Sequence, residues 1–194
     1  MKKKIKYLIG IIILSSVIIA TIQLLNTNNS NDSFSVNKNI NEFNLITHNN
    51  EKFTYDYNLG YSSVFFFGFL NCPDICPATL FKISKIIDSL KSSNKNIKYY
   101  FVTVDPERDT PDKLKKYLEG FSNKIIGITG ENEAVYRFLD SMNVYYKKIL
   151  FDEKSHSFDH SAQIFLFDKR GNFFGTISTN EDVEIAIEKI KAIL

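Results

Sequence analysis

Tryptophan is absent from the 194 residues, and cysteine, histidine and proline are scarce at two, three and four. The missing tryptophan does not deprive the chain of a core. Phe (17) and Tyr (10) are plentiful, and a hydrophobic share of 44% excludes wholesale disorder. Neither charge sign is in large excess: four of the 24 basic groups are Lys2, Lys3, Lys4 and Lys6, and the rest of the chain carries 20 against 22 acidic groups. That balance excludes a nucleic-acid-binding surface. No internal repeat and no second linker interrupts residues 40–194, and the length allows one globular domain with a short appendage, not a multidomain enzyme. All four prolines are accounted for at positions 73, 77, 106 and 111.

The appendage is N-terminal. Residues 1–6 form a basic tail, and residues 7–25 carry no charge and are dominated by Ile, Leu and Val. As a helix those nineteen residues would span about 28 Å at ~1.5 Å per residue, close to the ~30 Å hydrocarbon core of a bilayer. A cleaved signal peptide would have a shorter apolar stretch and a small-residue cleavage site, and Ser15-Ser16-Val17 and Ile18-Ile19-Ala20 are poor versions of one. The lysines favour a cytoplasmic N-terminus. The expectation is a single-pass anchor in a bacterial inner membrane with the bulk of the protein in the periplasm. Residues 26–39 (NTNNSNDSFSVNKN) are polar and read as a flexible tether.

Within residues 40–194 the apolar run 64–69 (VFFFGF) predicts a strand buried on both faces. Cys72-Pro73-Asp74-Ile75-Cys76-Pro77 follows. Pro77 suits the first position of a helix, along which Leu80, Ile83, Ile86, Ile87 and Leu90 recur at helical spacing. A second strand is predicted over 97–104, then a second helix opening at Thr110-Pro111. Residues 125–129 predict a third strand and 131–142 its helix. Residues 163–167 and 173–178 flank the hairpin signal Asp168-Lys169-Arg170-Gly171, and 182–194 predict a closing helix. This order, βαβ first and ββα last, implies an α/β chain of the thioredoxin-like class, with a central mixed sheet flanked by helices.

The two cysteines lie four apart. As a structural staple they would close too small a loop to stabilise much. As a redox couple they need a thiolate of lowered pKa, which a helix N-terminus supplies, yet three residues separate them where thioredoxin-type oxidoreductases have two. As a metal clamp, two soft thiolates suit Cu(I) or Zn(II) and require a third ligand. Among the histidines, His48 sits in the polar turn Thr47-His48-Asn49-Asn50 and reads as a solvated loop residue. His156 follows the charged stretch 152–155 and reads as surface, with its four-residue spacing to His160 leaving room for a minor metal role. His160 lies just before the apolar strand 163–167, at the loop that in a thioredoxin-like fold faces the cysteine pair. Redox enzymes of that class carry a cis-proline there; this chain carries His-Ser-Ala-Gln.

Taken together, Cys72-Pro-Asp-Ile-Cys76-Pro77, the run Val-Asp-Pro-Glu-Arg-Asp-Thr-Pro at 104–111, Gly127-Ile-Thr-Gly130, Val144-Tyr-Tyr146 and Asp159-His160-Ser161 resemble the Sco/SenC family of membrane-anchored copper proteins, which help build the copper centre of cytochrome c oxidase. The resemblance covers nearly all of 45–194, and the anchor. It implies copper as the bound metal, Cu(I) or Cu(II), with Cys72, Cys76 and His160 as ligands. Asp159 would serve as outer acceptor for the imidazole, and Asp105, with Arg108 and Asp109, would form an ion-pair cap beside the site. The function implied is a metallochaperone serving the oxidase copper-centre subunit, served in turn by a copper donor or a thioredoxin-like reductant. Metal transfer of this kind is not an enzyme reaction. The alternative is a thiol-disulfide oxidoreductase that keeps oxidase cysteines reduced by cycling a Cys72–Cys76 disulfide. A peroxidase lacks the expected Thr three residues before either cysteine: Phe69 and Pro73 stand there.

Overall fold

Burial organises the sheet around β2 (Ser62–Gly68), every residue of which is buried. The computed structural model describes residues 35, 36, 40–90, 95–152 and 155–194, together with Ser15 and Thr21. Apart from those two residues, which are helical and exposed, the expected anchor at 7–25 lies outside the described residues. β2 pairs in parallel with β3 (Ile97–Thr103), which pairs in parallel with β4 (Ile125–Thr129). The edges are antiparallel. β1 (Ile46–Thr47) adds to β4, while β7 (Ile164–Phe167) pairs with β2 and β8 (Phe173–Ile177) with β7. The order is β1-β4-β3-β2-β7-β8, and β5 (Tyr146–Leu150) and β6 (His156–His160) form a separate two-stranded ribbon.

Side chains alternate across a strand, so Phe66 and Gly68 face one side of the sheet and Phe65 and Phe67 the other. On the first side Phe66 meets Phe101 at 5.9 Å, and Phe101 meets Tyr117 at 6.5 Å. α2 (Ile75–Leu90), which buries Leu80, Ile83 and Ile87, and α3 (Pro111–Leu118) cover this side, with α5 (Val183–Lys191) beside α2. On the second side Phe65 packs on Tyr100 at 4.7 Å and on Phe167 at 5.5 Å. Phe53 and Phe138, the latter from α4 (Asn132–Ser141), close over them. Each fully buried Phe contributes about 1.5–3 kcal/mol, so the run of three in β2 anchors both layers.

Three local differences from the sequence reading matter. α2 begins at Ile75, two residues before Pro77, because the first turn of a helix has no use for its N–H groups and tolerates proline throughout. A short α1 (Tyr55–Asn58) and the ribbon β5–β6 are additional elements. Ser35 and Val36, assigned by composition to the tether, belong to the folded unit: Ser35 bridges Asn172, and the buried Val36 donates its N–H to the Gly171 carbonyl at 2.9 Å.

Candidate metal centre

The parallel strands β2 and β3 both end at the same edge of the sheet, and each runs through a loop into a helix N-terminus. This edge is where open α/β sheets place their crevice. The first loop carries Cys72, whose N–H donates to the Phe69 carbonyl at 3.2 Å, and delivers Cys76 into the first turn of α2. Cys76 is buried and Cys72 half-buried; both are free thiols. The Cys76 N–H donates to Cys72 Sγ at 3.4 Å, which folds the two sulfurs over one turn. Space for Cys76 comes from Gly68: a Cβ there would lie 2.8 Å from Cys76 Sγ.

β6 brings the imidazole. His160 Nε2 lies 3.7 Å from Cys76 Sγ, and the ring stands edge-on to Phe69 at 5.8 Å. Nδ1 lies 3.0 Å from the Ser161 carbonyl, which can only accept, so Nδ1 carries the proton and the Nε2 lone pair faces the sulfurs. Burial lowers the His160 pKa, against the opposing pulls of the Ser161 bond and the Asp159 charge, and so favours the neutral ring. Burial also pushes the Cys76 thiol far up; a backbone hydrogen bond at Phe69 opposes this, while Cys72 and Asp109 reinforce it.

Ligand atoms of Cys72, Cys76 and His160 all lie within 4.8 Å of one another. Metal–sulfur and metal–nitrogen lengths of ~2.3 and ~2.0 Å allow sulfur and nitrogen to stand up to about 4.3 Å apart across one ion, and 3.7 Å falls inside that limit. Two thiols and a neutral imidazole suit a soft ion that replaces thiol protons, since thiolates are its preferred donors.

Of the acidic residues, Asp105 makes the expected ion pair with Arg108, whereas Asp159 is placed differently from the sequence expectation. Asp159 is exposed and stands opposite Lys147 in the ribbon; the acceptor for Nδ1 is the Ser161 carbonyl. Asp105 is fully buried, and its oxygens face Arg108 Nε and His156 Nε2, not the sulfurs or His160. The carboxylate that supports the cysteine loop is Asp109, which accepts the Leu70 N–H at 3.1 Å and the Thr103 hydroxyl at 2.7 Å. Burial pushes the Asp109 pKa up to about 6 against those two bonds.

The other two histidines are not the solvated residues their neighbours suggest. His48 accepts the Gly127 N–H through Nδ1 at 3.0 Å, and its pKa is lowered, chiefly by burial. The His156 side chain is 10% exposed. Its four-residue spacing to His160, already visible in the sequence, puts both rings on one strand face, and the partner it finds there is Asp105. Tyr117 on α3 also borders the site. Its phenol is pushed up to about 12, first by burial and then by the nearby Cys76, Cys72 and Asp109.

The family model described as SCO1/SenC matches residues 32–194. An SCO2-like protein of Rickettsia prowazekii is 38% identical over 149 residues, covering 74% of this chain and 73% of that protein. Among solved structures, Bradyrhizobium japonicum ScoI with copper bound superposes with a TM-score of 0.73 at 32% identity, covering 77% of this chain and 96% of that one. Yeast Sco1 with copper bound gives 0.70 at 33% identity, covering 76% and 83%.

Proposed function

The chain belongs to the SCO1/SenC family, and from that membership and the sulfur–nitrogen cradle we propose that it is a copper metallochaperone. Cys72, Cys76 and His160 bind Cu(I) or Cu(II), and the protein delivers the ion to the copper-centre subunit of cytochrome c oxidase. The observation that carries this reading is the 3.7 Å approach of His160 Nε2 to Cys76 Sγ, with the Cys72 sulfur on the same turn. The copper-bound state of related Sco proteins supports the choice of ion. Cys72, the more exposed sulfur, is the one an incoming thiolate reaches first, so exchange begins there and ends when the buried Cys76 regains its proton. Residues 7–25 anchor the chain in a bacterial inner membrane with the domain in the periplasm, a reading supported by the apolar run and the flanking lysines. A copper donor or a thioredoxin-like reductant prepares the site.

A second reading, a thiol-disulfide oxidoreductase acting on oxidase cysteines, draws support from the same half-exposed Cys72 sulfur above a helix N-terminus. Transfer separates the two. Full chain in detergent, loaded anaerobically with one Cu(I), is mixed with the apo copper-centre domain of the oxidase subunit and separated again. Copper leaving the wild type, together with a His160→Ala chain that retains too little copper to transfer, supports the chaperone. Disulfide reduction in the oxidase domain that is equal for both chains, with no copper movement, contradicts it.

A further inference from the structure

Outside the cradle the described residues contain one other group of ligand-type side chains within 4.8 Å: Asp105, Glu107 and His156. Its charges are already matched. One Asp105 oxygen faces His156 Nε2 at 3.1 Å and the other takes the Arg108 Nε–H, while Glu107 meets Lys148 at 2.6 Å. An ion placed there would have to displace two cations and a hydrogen bond, so the group is a fastening.

What it fastens is visible on either side. His156 lies on β6 four residues before His160, on the same strand face. From Asp105 the contacts continue inward: its N–H donates to Thr103 Oγ1 at 2.9 Å, and the Thr103 hydroxyl donates to Asp109 Oδ2 at 2.7 Å. That same oxygen accepts the Leu70 N–H at 3.1 Å, two residues before Cys72. Thr103, Asp105 and Asp109 are all buried. One continuous polar chain therefore joins the strand that carries the imidazole to the loop that carries the sulfurs. The ribbon depends on such attachments, because β5–β6 stands outside the six-stranded sheet and an isolated two-stranded hairpin is marginal. Its other attachments include the packing of Phe158 on Phe69 at 5.8 Å, the stacking of Tyr146 on Tyr136 of α4 at 5.1 Å, and the Lys148–Glu107 pair, which is part-exposed on both sides.

We propose that His156 is a positioning residue of the copper site: through Asp105, Thr103 and Asp109 it locks β6 to the cysteine loop and holds His160 Nε2 against Cys76. This role rests on the copper-binding reading above. It is separate from ligation, because His156 touches no sulfur and its partner is a carboxylate.

The test uses the full chain in detergent, loaded anaerobically with Cu(I), as wild type, His156→Ala and His156→Gln. Affinity is read by chelator competition and the nitrogen donor by X-ray absorption, with melting of the copper-free chains as the folding control. His156→Ala is expected to weaken binding about tenfold, the lower end of what loss of an outer-sphere partner costs, and to diminish the nitrogen scattering. Gln can still donate to Asp105 and is expected to restore both. If His156→Ala does not fold, His156→Asn, whose amide is too short to reach Asp105, replaces it. Equal affinity and equal nitrogen signal in wild type and the Ala variant overturn the positioning role. So does a second copper in the wild type that the Ala variant loses, which would make the group an ion site. A wild type that binds no copper overturns the functional reading itself.

Discussion

At Gly68 a hydrogen stands where any other residue would put a carbon 2.8 Å from Cys76 Sγ and 2.9 Å from Phe101 Cε2. Both neighbours are buried in the core, so neither can retreat freely. Gly68→Ala is expected to cost about 1–3 kcal/mol in urea unfolding, the usual range for overpacking, and to weaken copper binding by displacing the sulfur; unchanged values for both would contradict the packing argument. Asp109 gives a prediction with a definite sign. Folding raises its pKa to about 6 from an ordinary ~3.9. The protonated folded form is therefore favoured, and this contribution is complete below about pH 4 and lost as the pH rises through about 6. Asparagine carries no charge to bury. The stability of Asp109→Asn relative to wild type should thus improve by about 3 kcal/mol between pH 3.5 and pH 7, as measured by urea unfolding at both. A difference that does not change with pH would contradict a buried carboxylate.

At the scale of elements, α2 shows most directly how sequence pattern becomes structure. Leu80 is wholly buried and Phe81, the next residue, is 58% exposed, lying under Lys85 Nζ at 4.6 Å. Leu80→Ala should therefore cost about 2–5 kcal/mol and Phe81→Ser less than about 0.5 kcal/mol in the same denaturation assay; the reverse order would mean the helix face is wrongly assigned. The helices α2 to α5 and the strands β2, β3, β4, β7 and β8 are legible in the sequence because each is an apolar run or an apolar stripe at helical spacing, or is marked by a cap or hairpin signal. The ribbon is not. Four of the five residues of β5 are exposed and β6 reads His-Ser-Phe-Asp-His, so neither carries the alternation that marks a strand packed on a core. That failure hides His156, whose charged sequence neighbours suggest solvent while its strand folds it onto Asp105. His160 and the cysteines stand out by their types, their spacing and the motifs around them. The support beneath them, Asp109 to Leu70 and His160 Nδ1 to Ser161, depends on contacts between segments 39 residues apart and on a backbone carbonyl, neither of which a motif encodes.

For the whole molecule the parts make one device under the proposed reading: an anchor at 7–25, a tether that ends where Val36 enters the core, and a domain that holds two thiols and an imidazole at the edge where β2 and β3 end. The same loops that close the fold position the donors, so copper binding and native structure reinforce each other. Anaerobic Cu(I) titration of the reduced full chain against a competing chelator, with His160→Ala in parallel, tests the central claim most directly. The account predicts one tightly held copper per chain and binding at least about tenfold weaker without the imidazole. Equal binding by both chains, or none by either, would contradict it.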